Sequence, residues 1–518
     1  MFTLGASADS NDILKTIEET GKSVFITGQA GTGKSTLLRQ FRSTTEKNVI
    51  VIAPTGIAAL NVEGQTIHAF FRFLPSTITE DKVKIIREKT ELFENIDTII
   101  IDEISMVRID VMDGIDCALR KYRKNDKPFG GVQTVFFGDL FQLSPIVGDN
   151  AANEFITSNY PSPYFFDANV FKNIDITVYE LTKVYRQTDS EFVDLLNRIR
   201  INEAKDRDLD KLNSNNVVPK SDDEYVYLTA RRITADEVNT AKLNSLPGKK
   251  FISKCEISGN FADYSDKTEL TYPAPETLEL KPSSKIMMLV NDISKRWVNG
   301  SRGKVVNFGN DYITVSLDNN EHQVNKHTWK QMEYTYNSVS RKIEEKQVGT
   351  FTQYPIQLAN AITIHKSQGM TLDKVIVDIG MGAFAHGQVY VALSRCRAFS
   401  NLVIKSYINQ SDIMIDPLIT DFYNKLHSVQ KQSVLSEIDL IREFEKDLNK
   451  YMDIIKERGY RGATRVTRNF QSAISLAKIQ TPKATEILWR LKEEFKSIEY
   501  CIEALCIKKK YNDIVPLD

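Results

Sequence analysis

Apolar residues along this chain follow two rhythms. From Val24 to Met106, short runs dense in β-branched residues (V-F-I-T, V-I-V-I-A, T-I-I-I) alternate with loops and with helical spacings such as S-T-L-L-R-Q-F-R. Apolar runs without polar alternation mark strands covered on both faces, as in a parallel sheet flanked by helices. The rhythm returns at T-V-F-F-G-D (134–139), Y-V-Y-L-T (225–229) and K-V-I-V-D (374–378). This predicts an α/β fold with two such units, residues 1–200, then 201–280 continued by 347–426. Over 281–346 the pattern changes. There K-I-M-M-L, G-K-V-V-N-F and Y-I-T-V-S-L are separated by the turn signals W-V-N-G-S-R-G and F-G-N-D, which predicts a small all-β insert. The stretch 427–518 reads as a helical C-terminal extension. In it Leu488, Leu491, Phe495, Ile498, Ile502 and Leu505 share one helical face, which either packs on the rest of the chain or pairs as a short coiled coil.

Composition narrows the function classes. With 518 residues, 42% hydrophobic and 26% charged, the chain has material for several cores and is not a disordered or collagenous polymer. A formal charge of -1 means that any nucleic-acid site must be a local groove. The five cysteines, Cys117, Cys255, Cys396, Cys501 and Cys506, form no C-x-x-C pair, so neither a disulfide scaffold nor a zinc site is expected. The chain shows no run of eighteen apolar residues and no basic start leading into an apolar block, so no membrane partner is expected. A bacterial or phage-host cytoplasm is the expected compartment.

Gly28-Gln29-Ala30-Gly31-Thr32-Gly33-Lys34-Ser35 fits G-x-x-x-x-G-K-[ST], directly after one apolar run and before a helical stretch that opens with Thr36. Such glycines let backbone amides curl around a phosphate, the lysine reaches the β and γ phosphates, and the Ser35 hydroxyl can ligate Mg2+. ATP and Mg2+ are therefore the expected cofactors. Asp102 and Glu103 follow the run T-I-I-I, at the strand end where open α/β sheets bind ligands. Asp102 is expected to hold Mg2+, and Glu103 to polarise the attacking water. Gln142, after the next strand, is placed to sense the γ-phosphate or orient water. Arg186 in V-Y-R-Q and Arg395 in V-A-L-S-R-C-R are either guanidiniums for the transferring phosphoryl or surface ion pairs; spacing does not choose between these.

Six stretches then occur in a fixed order: A-P-T-G-I-A-A-L-N-V-E-G-Q-T-I-H-A-F-F (53–71), I-I-I-D-E-I-S-M-V (99–107), P-F-G-G-V-Q-T-V-F-F-G-D-L-F-Q-L-S-P (128–145), L-T-K-V-Y-R-Q (181–187), T-I-H-K-S-Q-G-M-T-L (363–372) and G-Q-V-Y-V-A-L-S-R (387–395). In these the chain resembles superfamily 1B DNA helicases of the Pif family, with RecD-like and Dda-like relatives. The stretch 107–131, with Arg108, Asp113, Asp116, Arg120 and Arg123, resembles that family's own signature. The resemblance implies two RecA-like P-loop domains closing on ATP, a small barrel at 281–346 and a strand-separating wedge at 72–96. It implies that Arg186 and Arg395 reach the γ-phosphate from the second domain's side, and that the motor tracks single-stranded DNA 5′ to 3′. Pro54, Thr55, Gly56 and His68 match the first DNA-contacting motif, and Thr363, His365, Lys366, Ser367 and Gln368 the later one. Hydroxyls, amides and one lysine suit successive phosphates, while His68, Phe70 and Phe71 offer faces for bases.

The expected partners are single-stranded DNA and single-strand/duplex junctions, with a protein partner reached through the C-terminal helices. Three departures stand out. No glutamine-bearing adenine motif is evident over Asn11 to Glu19, Asn360 replaces the usual aromatic, and the tail has no counterpart in the family. Two further readings stay open at this stage, a DNA-stimulated translocase that unwinds little and an ATP-switched binding scaffold.

Overall fold

The computed structural model describes residues 2–5, 9–74, 76–187, 189–219, 224–261 and 272–428. The chain divides into two units, one of residues 1–2 and 8–422, the other of 3–7 and 423–518. The expected helices of the extension from residue 429 onward, including the shared apolar face, lie outside the described residues. No helix among the described residues is long and apolar enough to cross a membrane.

The apolar runs form a parallel sheet whose strands lie in the order Ile176–Leu181, Val24–Gly28, Gln133–Gly138, Thr98–Ile101, Val49–Ala53 and Gln65–Thr66. Every residue of Val24–Gly28, Thr98–Ile101 and Gln133–Gly138 is buried, which is why these runs carry no polar alternation. The helix Lys34–Thr44 lays Leu37, Leu38 and Phe41 on one face of this sheet, against Val24, Ile26, Ile100 and Val135. The segment 72–96 consists of short turns and the helix Thr90–Glu94. It is fastened to the helix Ile109–Arg123, with Ile78 N donating to Asp110 Oδ2 (2.7 Å) and Ile86 N to the Tyr122 hydroxyl (2.9 Å).

A second parallel sheet has the order Ala361–Thr363, Val226–Thr229, Val375–Asp378 and Leu402–Ile404. The helix Ser190–Arg200 packs Phe192, Leu195, Leu196 and Ile199 into this second core, beside Val226 and Val375. The helix thus shares a core with the second sheet although it falls within the expected first domain, 1–200.

Among the described residues, antiparallel strands occur between Phe251 and Leu358, on both sides of the expected 281–346 as well as within it. One sheet orders Asn320–Asn325, Tyr312–Leu317, Arg302–Phe308, Lys285–Met288 and Ile356–Leu358 around its own core of Ile286, Met288, Val305, Ile313 and Val315. Another is a long hairpin, His327–Asn337 against Lys342–Gln353, with Glu256–Gly259 at its edge. The strand Lys342–Gln353 is polar and solvated over most of its length, so it lacks the apolar rhythm that announces a strand. Its partner reaches the first sheet. Val51 N donates to the buried Tyr334 hydroxyl (3.3 Å), Gln65 Nε2 to Met332 O (2.8 Å), and Lys89 pairs with Glu333 (2.9 Å).

Candidate functional site

The strand Val24–Gly28 runs into a loop whose backbone only glycine adopts cheaply, with φ of +83° at Gly31 and +89° at Gly33. A Cβ on Gly31 would lie 2.6 Å from Arg186 Cβ, and one on Gly28 would lie 2.5 Å from Leu181 O. Gly33 caps the helix Lys34–Thr44 without a side chain, so the first-turn amides of Lys34 and Ser35 are left for an anion. Thr36 N closes on Gly33 O (3.0 Å), and Thr32 Oγ1 donates to Gln29 O (2.9 Å). Lys34 Nζ bridges Gly28 O (2.5 Å) and Gln29 O (3.1 Å). Burial lowers its pKa, against the pull of Asp139 and Glu103. Ala30 N donates to the Tyr390 hydroxyl (3.0 Å), so the helix Gln388–Ser394 touches the loop directly.

Two carboxylates stand at the end of Thr98–Ile101, which Gln133–Gly138 separates from Val24–Gly28. Asp102 is pushed up to about 7 by burial and then by the charge of Glu103, and Glu103 is itself raised by burial. Glu103 holds φ at +49°, a left-handed conformation that a non-glycine residue keeps only when its surroundings impose it. Two adjacent carboxylates, Asp102 buried and Glu103 half-buried, are a donor set a divalent cation would satisfy. Among the described residues no group of three His, Cys, Asp or Glu could hold a metal ion, so Asp102 and the Ser35 hydroxyl would leave most coordination positions to phosphate and water, as Mg2+ prefers.

Asp139 is fully buried and takes the Arg200 guanidinium at 2.7 Å, while Gln142 Nε2 donates to its other oxygen (3.2 Å). Arg200 also stacks over Phe141 at 4.3 Å. The two arginines left open by spacing are not surface ion pairs. Arg186 Nη1 donates to Ser394 O (3.3 Å). Arg395 is 1% exposed and spends its hydrogens on Val391 O (2.9 Å) and Ser394 Oγ (3.2 Å). Burial, and then the neighbouring Arg186, push Arg395 down to about 9. Neither guanidinium is bonded to a carboxylate among the described residues, and Arg186 rests directly on Gly31.

The expected strand-contacting residues separate into two groups. Pro54, Thr55 and Gly56 form the turn after Val49–Ala53, where Thr55 Oγ1 accepts from Ala58 N (3.2 Å). His68 stands edge-on to Phe73, while His365 is half-buried and Lys366 exposed at the turn after Thr363. The others turn inward. Phe70 is 1% exposed and packs on Phe93 (5.0 Å) and Tyr334 (6.0 Å), and Phe71 is buried with it, so neither offers a face to a base. Adjacent aromatics on a five-residue helix at a sheet edge are claimed by the hairpin that covers that edge. Ser367 is fully buried, with its hydroxyl on Ile364 O (2.7 Å), and Gln368 Nε2 donates to Glu103 Oε2 (3.0 Å).

Sequence reasoning missed Tyr185, Arg200 and Tyr390. Tyr185 is 66% exposed, and its ring passes 3.9 Å from where a Gly33 Cβ would stand; its place directly before Arg186 was the available signal. Tyr390 stood inside a quoted motif. Arg200 had no local signal, since its partner Asp139 is a long-range one.

A family described as PIF1-like helicase matches residues 7–209, and a further helicase family matches 314–416. The ATP-dependent DNA helicase PIF1 of Homo sapiens is 31% identical over 431 residues, 81% of this chain, which spans 64% of that protein's length. The Pif1 of Bdellovibrio bacteriovorus is 31% identical over 82% of this chain and 92% of its own length. Among solved structures, Pif1 from Bacteroides sp in complex with ADP-AlF4 is 36% identical with a TM-score of 0.74, over 81% of this chain and 96% of that one. Bacteroides Pif1 bound to ssDNA is 37% identical with a TM-score of 0.60, over 81% and 97%.

Proposed function

This chain belongs to the PIF1-like helicase family and has its α/β RecA-like architecture, and from that premise we propose that it is an ATP-dependent DNA helicase that tracks single strands 5′ to 3′ and opens duplex or structured DNA. The observation that carries the reading is the pair of neighbouring guanidiniums, Arg186 and Arg395, beside the phosphate loop, neither of them bonded to a carboxylate among the described residues. Two like charges held side by side repel each other, and a triphosphate between them offsets that repulsion. Residues 28–36 cradle the phosphates, with Lys34 leaving the loop carbonyls for them. Asp102 and Ser35 would hold Mg2+, which when bound would supply charge neutralisation to the phosphates. Glu103 takes the proton of the attacking water, Gln142 orients that water, and Arg186 and Arg395 stabilise the charge of the transferring phosphoryl. The exposed Tyr185 ring gives the nucleotide base a face, which answers the missing glutamine motif.

The strand groove joins Pro54, Thr55, Gly56 and His68 on the first sheet's side to Thr363, His365 and Lys366 on the second's. The solved relatives carrying ADP-AlF4 and ssDNA support both sites. In this reading the five-stranded sheet is the small barrel, 72–96 is the wedge at the junction, and residues beyond 427 serve a protein partner. The test is ATP-dependent strand separation on one duplex with a 5′ tail and one with a 3′ tail, with Lys34→Ala as the blank. The 5′-tailed duplex alone should open. Opening of the 3′-tailed duplex would reverse the polarity, and DNA-stimulated hydrolysis with neither duplex opened would make the protein a translocase.

A further inference from the structure

The turn bearing Gln368 has two sides. On the outer side stands the exposed Lys366, in the proposed strand groove. On the inner side Gln368 Nε2 holds Glu103 Oε2 (3.0 Å), and the carbonyls of Ser367 and Met370 accept from Arg395 Nη1, both at 3.5 Å. The turn between them is tightly bonded. Lys366 N donates to Thr363 Oγ1 (3.2 Å), Ser367 N to Ile364 O (3.1 Å), Gln368 N to His365 O (3.2 Å) and Met370 N to Ser367 O (3.0 Å). A movement imposed on Lys366 is therefore not absorbed within the turn and reaches Gln368. An amide donating to a carboxylate oxygen occupies one of its acceptor sites and fixes its rotamer, so that oxygen is less available to a water.

We propose that Gln368 is a latch on Glu103: with the groove empty its amide occupies the carboxylate oxygen that would take the water's proton, and a strand seated on His365 and Lys366 draws the amide away. The latch rests on the helicase reading above. In the step it gates, the water oxygen bonds to the γ-phosphorus as the bond from that phosphorus to the bridging oxygen breaks; the water's proton passes to Glu103, and ADP leaves. Gln368 acts here through Glu103 and is a positioning residue that ties the two sites together.

The experiment is ATP hydrolysis by the full chain carrying Gln368→Ala or Gln368→Leu, without DNA and at saturating oligo-dT, beside the unaltered protein and Lys34→Ala. Binding of an ATP analogue and of oligo-dT is measured on each, and the leucine keeps the side-chain volume without the donor. The DNA-free rate should rise about fivefold or more in both variants, and the DNA-saturated rate should change less than about twofold. A fall in both rates with both ligands still bound would make the amide an orienting partner and overturn the latch, as would an unchanged ratio of the two rates. If the unaltered protein is not stimulated by DNA, or its turnover survives Lys34→Ala, the helicase reading fails and the latch with it.

Discussion

Asp139 owes its ionised state to a residue far along the chain. Burial works against the charge, yet Arg200 and Lys34 hold the carboxyl below the usual carboxylate range. Its ordinary value is 3.8. The folded state therefore keeps it ionised at a pH where the unfolded chain is already protonated. The sign follows: the pair's contribution to stability is complete above pH 3.8 and is lost as pH falls through the lower folded value. Arg200→Ala leaves a buried carboxylate without its partner and should cost about 3–5 kcal/mol at neutral pH. Urea unfolding checks the loss, and an acid titration of stability should be flatter in the variant over that low window. At this scale the sequence was informative where chemistry is local, as in the glycines of 28–33 and the Asp102-Glu103 step. It was silent where a side chain meets a distant partner, as in Arg200 on Asp139 or Gln368 on Glu103, because nothing in a residue's neighbours states what will be folded against it.

Elements meet at the site through close backbone approach. Gly387 caps the helix Gln388–Ser394 with φ at +71°, and a Cβ there would lie 2.4 Å from Gln142 O and 2.5 Å from Phe141 O. Gly387→Ala must push the helix carrying Tyr390 and Arg395 away from the loop carrying Gln142. Because both sit in the proposed machinery, ATP turnover should fall by roughly a hundredfold, as misplacement of about 1 Å can do. Steady-state hydrolysis read beside a thermal melt separates this from general unfolding. Strands buried on both faces were legible as unbroken apolar runs, and the hairpin 327–353 was not. One arm is polar over most of its length, and what holds the hairpin is long-range: Tyr334 on Val51, and a small cluster of Trp329, Phe351 and Ala274.

On the scale of the whole molecule, the charge of -1 means that affinity for strands in the proposed groove would rest on its few cations. Log K for single strands should fall by about 0.7 per phosphate neutralised as log salt rises, and Lys366→Ala should lower that slope by about 0.7. Oligo-dT titrations across a salt series give both slopes, and an unchanged slope would remove Lys366 from the groove. The topology also bears on how the chain is made. Strands Val24–Gly28 through Ile176–Leu181 are all in hand before the second half emerges, so the first sheet can close early. Val226–Thr229 instead lies between Ala361–Thr363 and Val375–Asp378, and must wait, with the whole antiparallel region still to be synthesised, for both neighbours. During translation, then, the segment most exposed to wrong pairing is this one apolar strand, and chaperone dependence should concentrate in the second half.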